Sequence, residues 1–308
     1  MDYVDIPGLS FPVSNLVMGS DRFFLKDQEG TNERLDVYVE GGGNIVDTGR
    51  IYGGGESEQA IGNWLASRGV RDEFTVLTKG CHPRGFTRRV TREALESDVS
   101  ESLKALQTDR IDIFLMHRDN PQVPVGEIMG WLNDCVSAGS ISVLGASNWT
   151  QARVQAANDY AGENGLSGFA VVSNYAGLAV TNEPMWWECL EMDADYRNWL
   201  VETGMPNVCW SSLSRGFFSR NLGPEDADYD DMVRTYGNDE NRKRLQRASE
   251  FGRQRNLNPT QVACAYVLSQ KYPSLAIVSP ENLEQLNQLL EASALALGDD
   301  EIDWLEGN

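Results

Sequence analysis

Histidine is nearly absent from this chain, with two residues in 308, at positions 82 and 117. So few imidazoles exclude the histidine-rich sites of metal-dependent barrel hydrolases. Cysteine does not replace them, because the five at 81, 135, 189, 209 and 264 are scattered without a CxxC pair. That spacing argues against a cysteine-bound zinc and a disulfide framework, and for a reducing compartment. No metal is expected. Long apolar runs are also missing: nothing approaches the roughly 18 residues of a membrane span. The opening stretch MDYVDIPGLSFPVSNLVMGS lacks a basic segment followed by an apolar one, so a cytoplasmic protein is expected. Positive charge is scarce, 26 Lys and Arg against 46 Asp and Glu, for a formal net charge of −20. Nucleic acid and anionic membranes are therefore poor partners. The compact basic clusters, Arg88 to Arg92 and Asn241 to Arg244, read as solvated helix faces. No linker rich in Pro, Gly or Ser divides the chain, and no GxGxxG follows the first strand pattern, which weighs against a Rossmann sheet.

What is present is a regular alternation. Short apolar or β-branched runs at 15–18, 44–46, 74–78, 111–116, 142–146, 168–172, 207–210 and 275–278 predict eight strands. Helical spacing fills the gaps: Ile61, Trp64 and Leu65 share one stripe, and Leu95, Val99, Leu103 and Leu106 another. Thr91 is the expected N-cap of the second of these helices. Nearly continuous apolar strands separated by helices imply a parallel sheet covered on its faces. The eightfold count favours closure, so residues 1–308 are expected to form one (β/α)8 TIM barrel, an α/β fold of eight parallel strands inside a ring of helices. Two connections are long. Residues 179–205 carry no strand pattern and include Trp186 and Trp187, which either line a pocket or bury themselves on the barrel. Residues 216–238, with Tyr229, read as a flap.

Barrel enzymes place reactive groups at the C-terminal ends of strands. Three apolar runs end in polar residues, NIVD in Asp47, FTVLTK in Lys79 and DIFLMH in His117. Strands two, three and four bring those ends to one rim. Tyr52 follows Asp47 in a glycine-rich loop, DTGRIYGGGES. A free phenol titrates near ~10, too high for an efficient acid at neutrality. A lysine about 4 Å away stabilises the phenolate by up to about 4 kcal/mol at an effective dielectric of ~20, which lowers the pKa by about two to three. Lys79 is placed to do this and Asp47 to keep Lys79 charged. His82, in a CHP loop, is expected to be incidental.

With these residues in view, the chain resembles the aldo-keto reductase superfamily. NIVDTGRIYGGGESEQAIGNWL resembles its aspartate and tyrosine segment; TVLTKG and LKALQTDRIDIFLMHRD resemble its lysine and histidine segments. GSISVLGASNW and PNVCWSSLSRGFFS resemble its nicotinamide and pyrophosphate segments, so the likeness spans essentially the whole chain. It implies an NAD(P)(H)-dependent oxidoreductase that reduces aldehyde, ketone or sugar carbonyls, or oxidises the alcohols. Tyr52 would donate the proton, Lys79 tune it, Asp47 hold Lys79 and His117 orient the carbonyl. For the cofactor it implies Gly19, Ser20 and Asp21 near the ribose, with Asp47 beside them. Ser147 and Asn148 would bond the carboxamide, Trp210 stack on the nicotinamide, and Ser211, Leu213 and Arg215 follow the pyrophosphate.

Two stretches depart from the family pattern. Where many relatives carry a strand-six glutamine, this chain has VVSNYAGL, so Ser173 or Asn174 takes its place. After the eighth strand, IVSPENLEQLNQLL puts Glu281 and Glu284 where basic residues would grip the 2′-phosphate of NADP. A carboxylate repels that phosphate and suits a ribose diol, so NADP and NAD both remain open. Ser279, Asn282 and Gln288 are expected at the adenosine end, with Ser279 and Asn282 equally suited to capping a helix. The global charge favours a neutral small-molecule carbonyl or alcohol; the sequence carries no mark of oligomeric state. Two other functions compete. A cofactor-binding regulatory subunit with weak reductase activity has relatives in this superfamily. A glycosidase built on Asp47 and Glu56 leaves Lys79 and His117 without a role.

Overall fold

Alternating apolar runs and amphipathic segments fold into the expected barrel, and a short hairpin precedes it. The computed structural model describes residues 1–219 and 230–307. Strands β1 (Tyr3–Val4) and β2 (Val13–Ser14) pair antiparallel. Two-residue strands show no periodicity, so the sequence pattern missed them. Their connection carries Ile6, which clusters with Val13 and the barrel-interior residues Val17, Ile45, Leu77, Ile113 and Val208.

The barrel strands are β3 (Leu16–Gly19), β4 (Ile45–Asp47), β5 (Thr75–Gly80), β6 (Ile111–Met116), β7 (Ile141–Ser147), β8 (Phe169–Ser173), β9 (Asn207–Cys209) and β10 (Ser274–Val278). They close in the order β10-β3-β4-β5-β6-β7-β8-β9. The pairing is parallel all round, with Asp47 opposite Leu77 and Lys79 opposite Leu115. Each predicted strand falls on one of these within a residue or two at either end.

The outer face of the strands packs on helices. Helix α1 (Gln28–Glu40) and helix α2 (Glu56–Arg68) cover β3 to β5 through Leu35, Tyr38, Ile61, Trp64 and Met18. Helix α3 (Arg92–Leu106) begins where predicted, the Thr91 hydroxyl accepting a hydrogen bond from the Ala94 N–H at 3.2 Å. A Cβ at Gly62 on α2 would stand 2.4 Å from the Ala105 carbonyl oxygen at the end of α3. Backbone cannot yield as a side chain does, so Gly62→Ala is expected to destabilise the fold by about 1–3 kcal/mol, read as a lower urea midpoint.

Helices α4 (Val125–Ser137) and α5 (Gln151–Asn164) follow β6 and β7. Helix α6 (Ala194–Thr203), capped by Asp193, takes up the end of the long 179–205 connection, a helix its sequence did not suggest. Helix α7 (Asp230–Tyr236) and helix α8 (Asp239–Arg255) come before α9 (Pro259–Leu268), α10 (Leu283–Ala292) and α11 (Asp299–Glu306). Residues 220–229, the middle of the expected flap and including Tyr229, lie outside the described residues. Both basic clusters are ion-paired: Arg88 with Glu188, Arg89 with Asp98, Arg242 with Asp239 and Arg244 with Glu240. Among the described residues, no helix is long and apolar enough to cross a membrane.

Candidate active site

Side chains alternate along a strand, and that period aims the reactive groups. Asp47 follows Ile45 by two residues, Lys79 follows Leu77, and His117 follows Leu115; Ile45, Leu77 and Leu115 all belong to the barrel-interior cluster. The polar three therefore cap the apolar interior at the C-terminal rim. The loop after β4 is stitched to β5: the N–H groups of Thr48 and Arg50 donate to the carbonyls of Leu77 and Lys79 at 2.8 and 2.9 Å. Arg50 in turn reaches wholly buried Glu58 at 2.8 Å, and Glu58 accepts from the Thr78 hydroxyl at 2.7 Å. Gly53 and Gly54, with φ of 56° and 65°, then turn the chain through the left-handed region into α2. Tyr52 is thereby held over Lys79.

The Lys79 ammonium has three N–H donors, and each finds an oxygen: Asp47 Oδ1 at 2.5 Å, the Thr48 carbonyl at 2.8 Å and the Tyr52 hydroxyl at 3.2 Å. Because Tyr52 accepts from Lys79, its own O–H stays free to donate outward. Burial opposes the Lys79 charge, but Asp47 and Tyr52 outweigh it and hold the ammonium above its usual range. Burial likewise pushes the Asp47 carboxyl up, against the pull of Lys79.

The expected lowering of the Tyr52 pKa is not found. Desolvation is the largest influence and raises it, Lys79 pulls it down, Asp47 pushes it back up, and the phenol ends above its ordinary value of 10.0. The lysine acts together with its own counter-ion and with the desolvation of the phenol, and desolvation weighs most. His117 is held well below its ordinary value by burial first, then by Arg118, Lys79 and His82. Its ring stands edge-on to Tyr52, centroids 5.9 Å apart. His82 is not incidental in position: it lines the cleft with its ring 4.6 Å from that of His117.

These groups open on a cleft of about 1080 Å³, at the upper end of the roughly 300–1,000 Å³ that small-molecule sites span. Its walls include Gly19, Ser20 and Asp21, then Ser147 and Asn148, then Trp210, Ser211, Leu213 and Arg215, and finally Ser279 and Gln288. Buried polar atoms on those walls lack partners among the described residues, namely Ser20 Oγ, His117 Nδ1 and Trp210 Nε1. Asn148, Ser211 and Arg215 hold positive φ there, at 60°, 48° and 53°, a backbone cost of about 1–3 kcal/mol each that clusters at functional walls. An extended dinucleotide fits such a trough.

Two expected cofactor residues fall off the wall. Asn282 caps α10, accepting from the Gln285 N–H at 2.9 Å. Ser173 shares the interior face with Val171 but is wholly buried outside the cleft lining, its carbonyl accepting from the Asn148 N–H at 3.2 Å. The Asn148 side chain is also engaged within the protein, donating to Ser147 Oγ at 2.9 Å and accepting from the Leu190 N–H at 3.0 Å. Ser279 donates to Asp21 at 2.8 Å. Of the two readings of Trp186 and Trp187, pocket lining is the one observed.

The sequence reading missed Asn258 to Gln261, which line the far end. Asn258 and Gln261 form a reciprocal capping box at the start of α9, with bonds of 2.9 and 3.0 Å, around a first-turn proline. The NPTQ pattern itself announced a helix start, whose positive end suits an anion.

The family profile of the Aldo/keto reductase family matches residues 15–307, and the chain belongs to that family of oxidoreductases. Norsolorinic acid reductase of Aspergillus flavus is 28% identical over 298 residues, covering 90% of this chain and 70% of that protein. The aldo-keto reductase ausK of Emericella nidulans is 30% identical, covering 91% and 72%. A crystal structure of the thermostable aldo-keto reductase Tm1743 superposes with a TM-score of 0.76 at 20% identity, over 99% of both chains.

Proposed function

We propose that the protein reduces aldehyde or ketone carbonyls, or oxidises the corresponding alcohols, with a nicotinamide dinucleotide. One observation carries this reading: Lys79 saturates its donors on Asp47, Thr48 and the Tyr52 oxygen, which leaves a protonated phenol facing the cleft beside a neutral imidazole. When bound, the nicotinamide supplies the hydride that reduces the carbonyl carbon. Ser20, Ser147, Asn148, Trp210, Ser211 and Arg215 are the residues suited to hold it. As the π electrons of the carbonyl move onto oxygen, Tyr52 gives that oxygen its proton and His117 donates a hydrogen bond to it. The phenolate left on Tyr52 rests against Lys79, 3.2 Å away.

At the adenosine end the walls offer Ser279, Glu281, Gln285 and Gln288. Arg22 is engaged by Glu281 at 2.6 Å. This set favours a ribose diol over a 2′-phosphate, hence NAD or use of both cofactors. Fluorescence titration with NADH and NADPH, followed by turnover on an aldehyde, tests the assignment. An affinity for NADPH far above that for NADH would overturn the preference, and binding of neither would overturn the function.

The ionisation pattern also predicts a pH profile. Reduction needs Tyr52 protonated, and His117 supplies its N–H as a neutral imidazole through the neutral range. Tyr52 is raised above 10.0, so its proton is kept through the neutral range and lost only in strong alkali; His117 is lowered below 6.5, so it gains charge only in acid. The single-turnover rate of reduction is therefore expected to stay flat between about pH 6.5 and 9. A decline with an apparent pKa near neutrality would mean that Lys79 outweighs desolvation.

A further inference from the structure

Past Tyr52 and His117 the cleft runs out between two loops, 81–91 after β5 and 174–193 after β8. The loops meet through aromatic rings. Phe86 stands edge-on to Trp187 with centroids 5.6 Å apart, and Arg88 lies 5.4 Å over the Trp187 ring while pairing with Glu188. Trp186 stands 6.0 Å from Trp210. Trp186 and Trp187 remain 44% and 38% exposed although both line the cleft. Large indoles left open on a cleft wall offer faces for a planar ring.

Charge is divided along the same cleft. Among the described residues its lining carboxylates, Asp21, Asp47 and Glu281, come from the neighbouring strand ends of β3, β4 and β10, where Lys79 pairs with Asp47 and Arg22 with Glu281. The opposite end contributes Arg84 and Arg118 and, among the described residues, no lining carboxylate. Arg118 is 5% exposed, yet among the described residues its guanidinium donates only to neutral acceptors: the His117 carbonyl at 2.7 Å, Cys189 Sγ at 3.1 Å and the Trp187 carbonyl at 3.4 Å. The nearby acids are engaged elsewhere, Glu188 by Arg88 and Asp119 by Arg153. A guanidinium cannot discharge itself, and a buried charge without a counter-ion is costly. An anion entering this end of the cleft would remove that cost.

We infer that the substrate end takes an aromatic carbonyl compound bearing a carboxylate, with Arg118 pairing with the carboxylate and Trp186 and Trp187 flanking the ring. This rests on the reductase reading of the same site. It also reverses the preference for neutral substrates drawn from the chain-wide charge of −20, because the local field at Arg84 and Arg118 has the opposite sign.

The test compares para-carboxybenzaldehyde with para-nitrobenzaldehyde, a neutral compound of nearly the same shape. In the native protein the carboxylate compound is expected to show a KM at least about tenfold lower, the value of one charge-assisted hydrogen bond. Arg118→Met should bring the ratio of the two KM values to about one, and Arg118→Lys should keep part of it. Trp187→Ala should raise both KM values and preserve the ratio, which separates ring contact from charge contact. Equal KM values in the native protein, or a ratio that survives Arg118→Met, would overturn the inference. Should Arg118→Met not fold, the native ratio and Arg118→Lys still decide. Turnover of neither aldehyde marks instead a failure of the reductase reading.

Discussion

Replacing Tyr52 with phenylalanine is expected to lower kcat by about a hundred- to ten-thousandfold, the span of one positioned general acid. Cofactor affinity should be essentially unchanged. The substitution removes a single oxygen, the atom that Lys79 donates to at 3.2 Å, and leaves the ring that Lys79 Nζ approaches to 4.8 Å of its centroid. The loop that carries the ring is fixed by backbone bonds from Thr48 and Arg50 to β5 and by the Arg50 and Glu58 pair, so the fold has no reason to move. A variant that kept its turnover would remove Tyr52 from the chemistry and leave His117 or a bound water as the proton source. Transient kinetics are the appropriate readout, because a slow release step would hide a loss in chemistry from steady-state rates.

Lys79→Met is expected to cost both activity and stability. Asp47 is 3% exposed and pairs with Lys79 at 2.5 Å. Removing one partner of a buried ion pair leaves the other charge uncompensated, at about 3–5 kcal/mol. Chemical denaturation should show a loss of that size. The double substitution Lys79→Met with Asp47→Leu should recover much of the stability, since a buried pair replaced by apolar groups is often neutral or better. It should recover none of the activity, because the phenolate left on Tyr52 would have no cation beside it. A single Lys79→Met variant as stable as the native protein would mean that Asp47 takes up a proton at little cost, and the ion pair would then not be what fixes this rim.

The barrel and three of its rim groups were legible because each signal is local. An apolar run that ends in Asp47, Lys79 or His117 states in a few residues both that a strand is there and that its end is polar. The period of two does the rest, carrying Ile45, Leu77 and Leu115 inward and the polar residues with them. Signals that depend on distant neighbours were not legible. His82 looked incidental because nothing in CHP reveals that β6 brings His117 to its side. Arg118 passed unremarked because its lack of a carboxylate partner among the described residues follows from where Arg88 and Arg153 take Glu188 and Asp119. Asn282 read equally as ribose contact and helix cap, and only its bond to Gln285 decides for the cap.

The ionisation of Tyr52 failed for a related reason. Coulomb attraction to one lysine can be written from sequence spacing, whereas desolvation is a property of everything packed around the phenol. In this site desolvation is the larger influence. A proton that stays on Tyr52 suits reduction, and it makes the reverse oxidation depend more on alkaline conditions.

Isotope transfer examines the central claim most directly. A reduced nicotinamide dinucleotide carrying deuterium at its reactive carbon would be incubated with the protein and an aromatic aldehyde, and the alcohol analysed by mass spectrometry. The account predicts one deuterium on the carbinol carbon, with product formation lost in Tyr52→Phe. Alcohol without the label, or no alcohol from a protein that binds the cofactor, would contradict it.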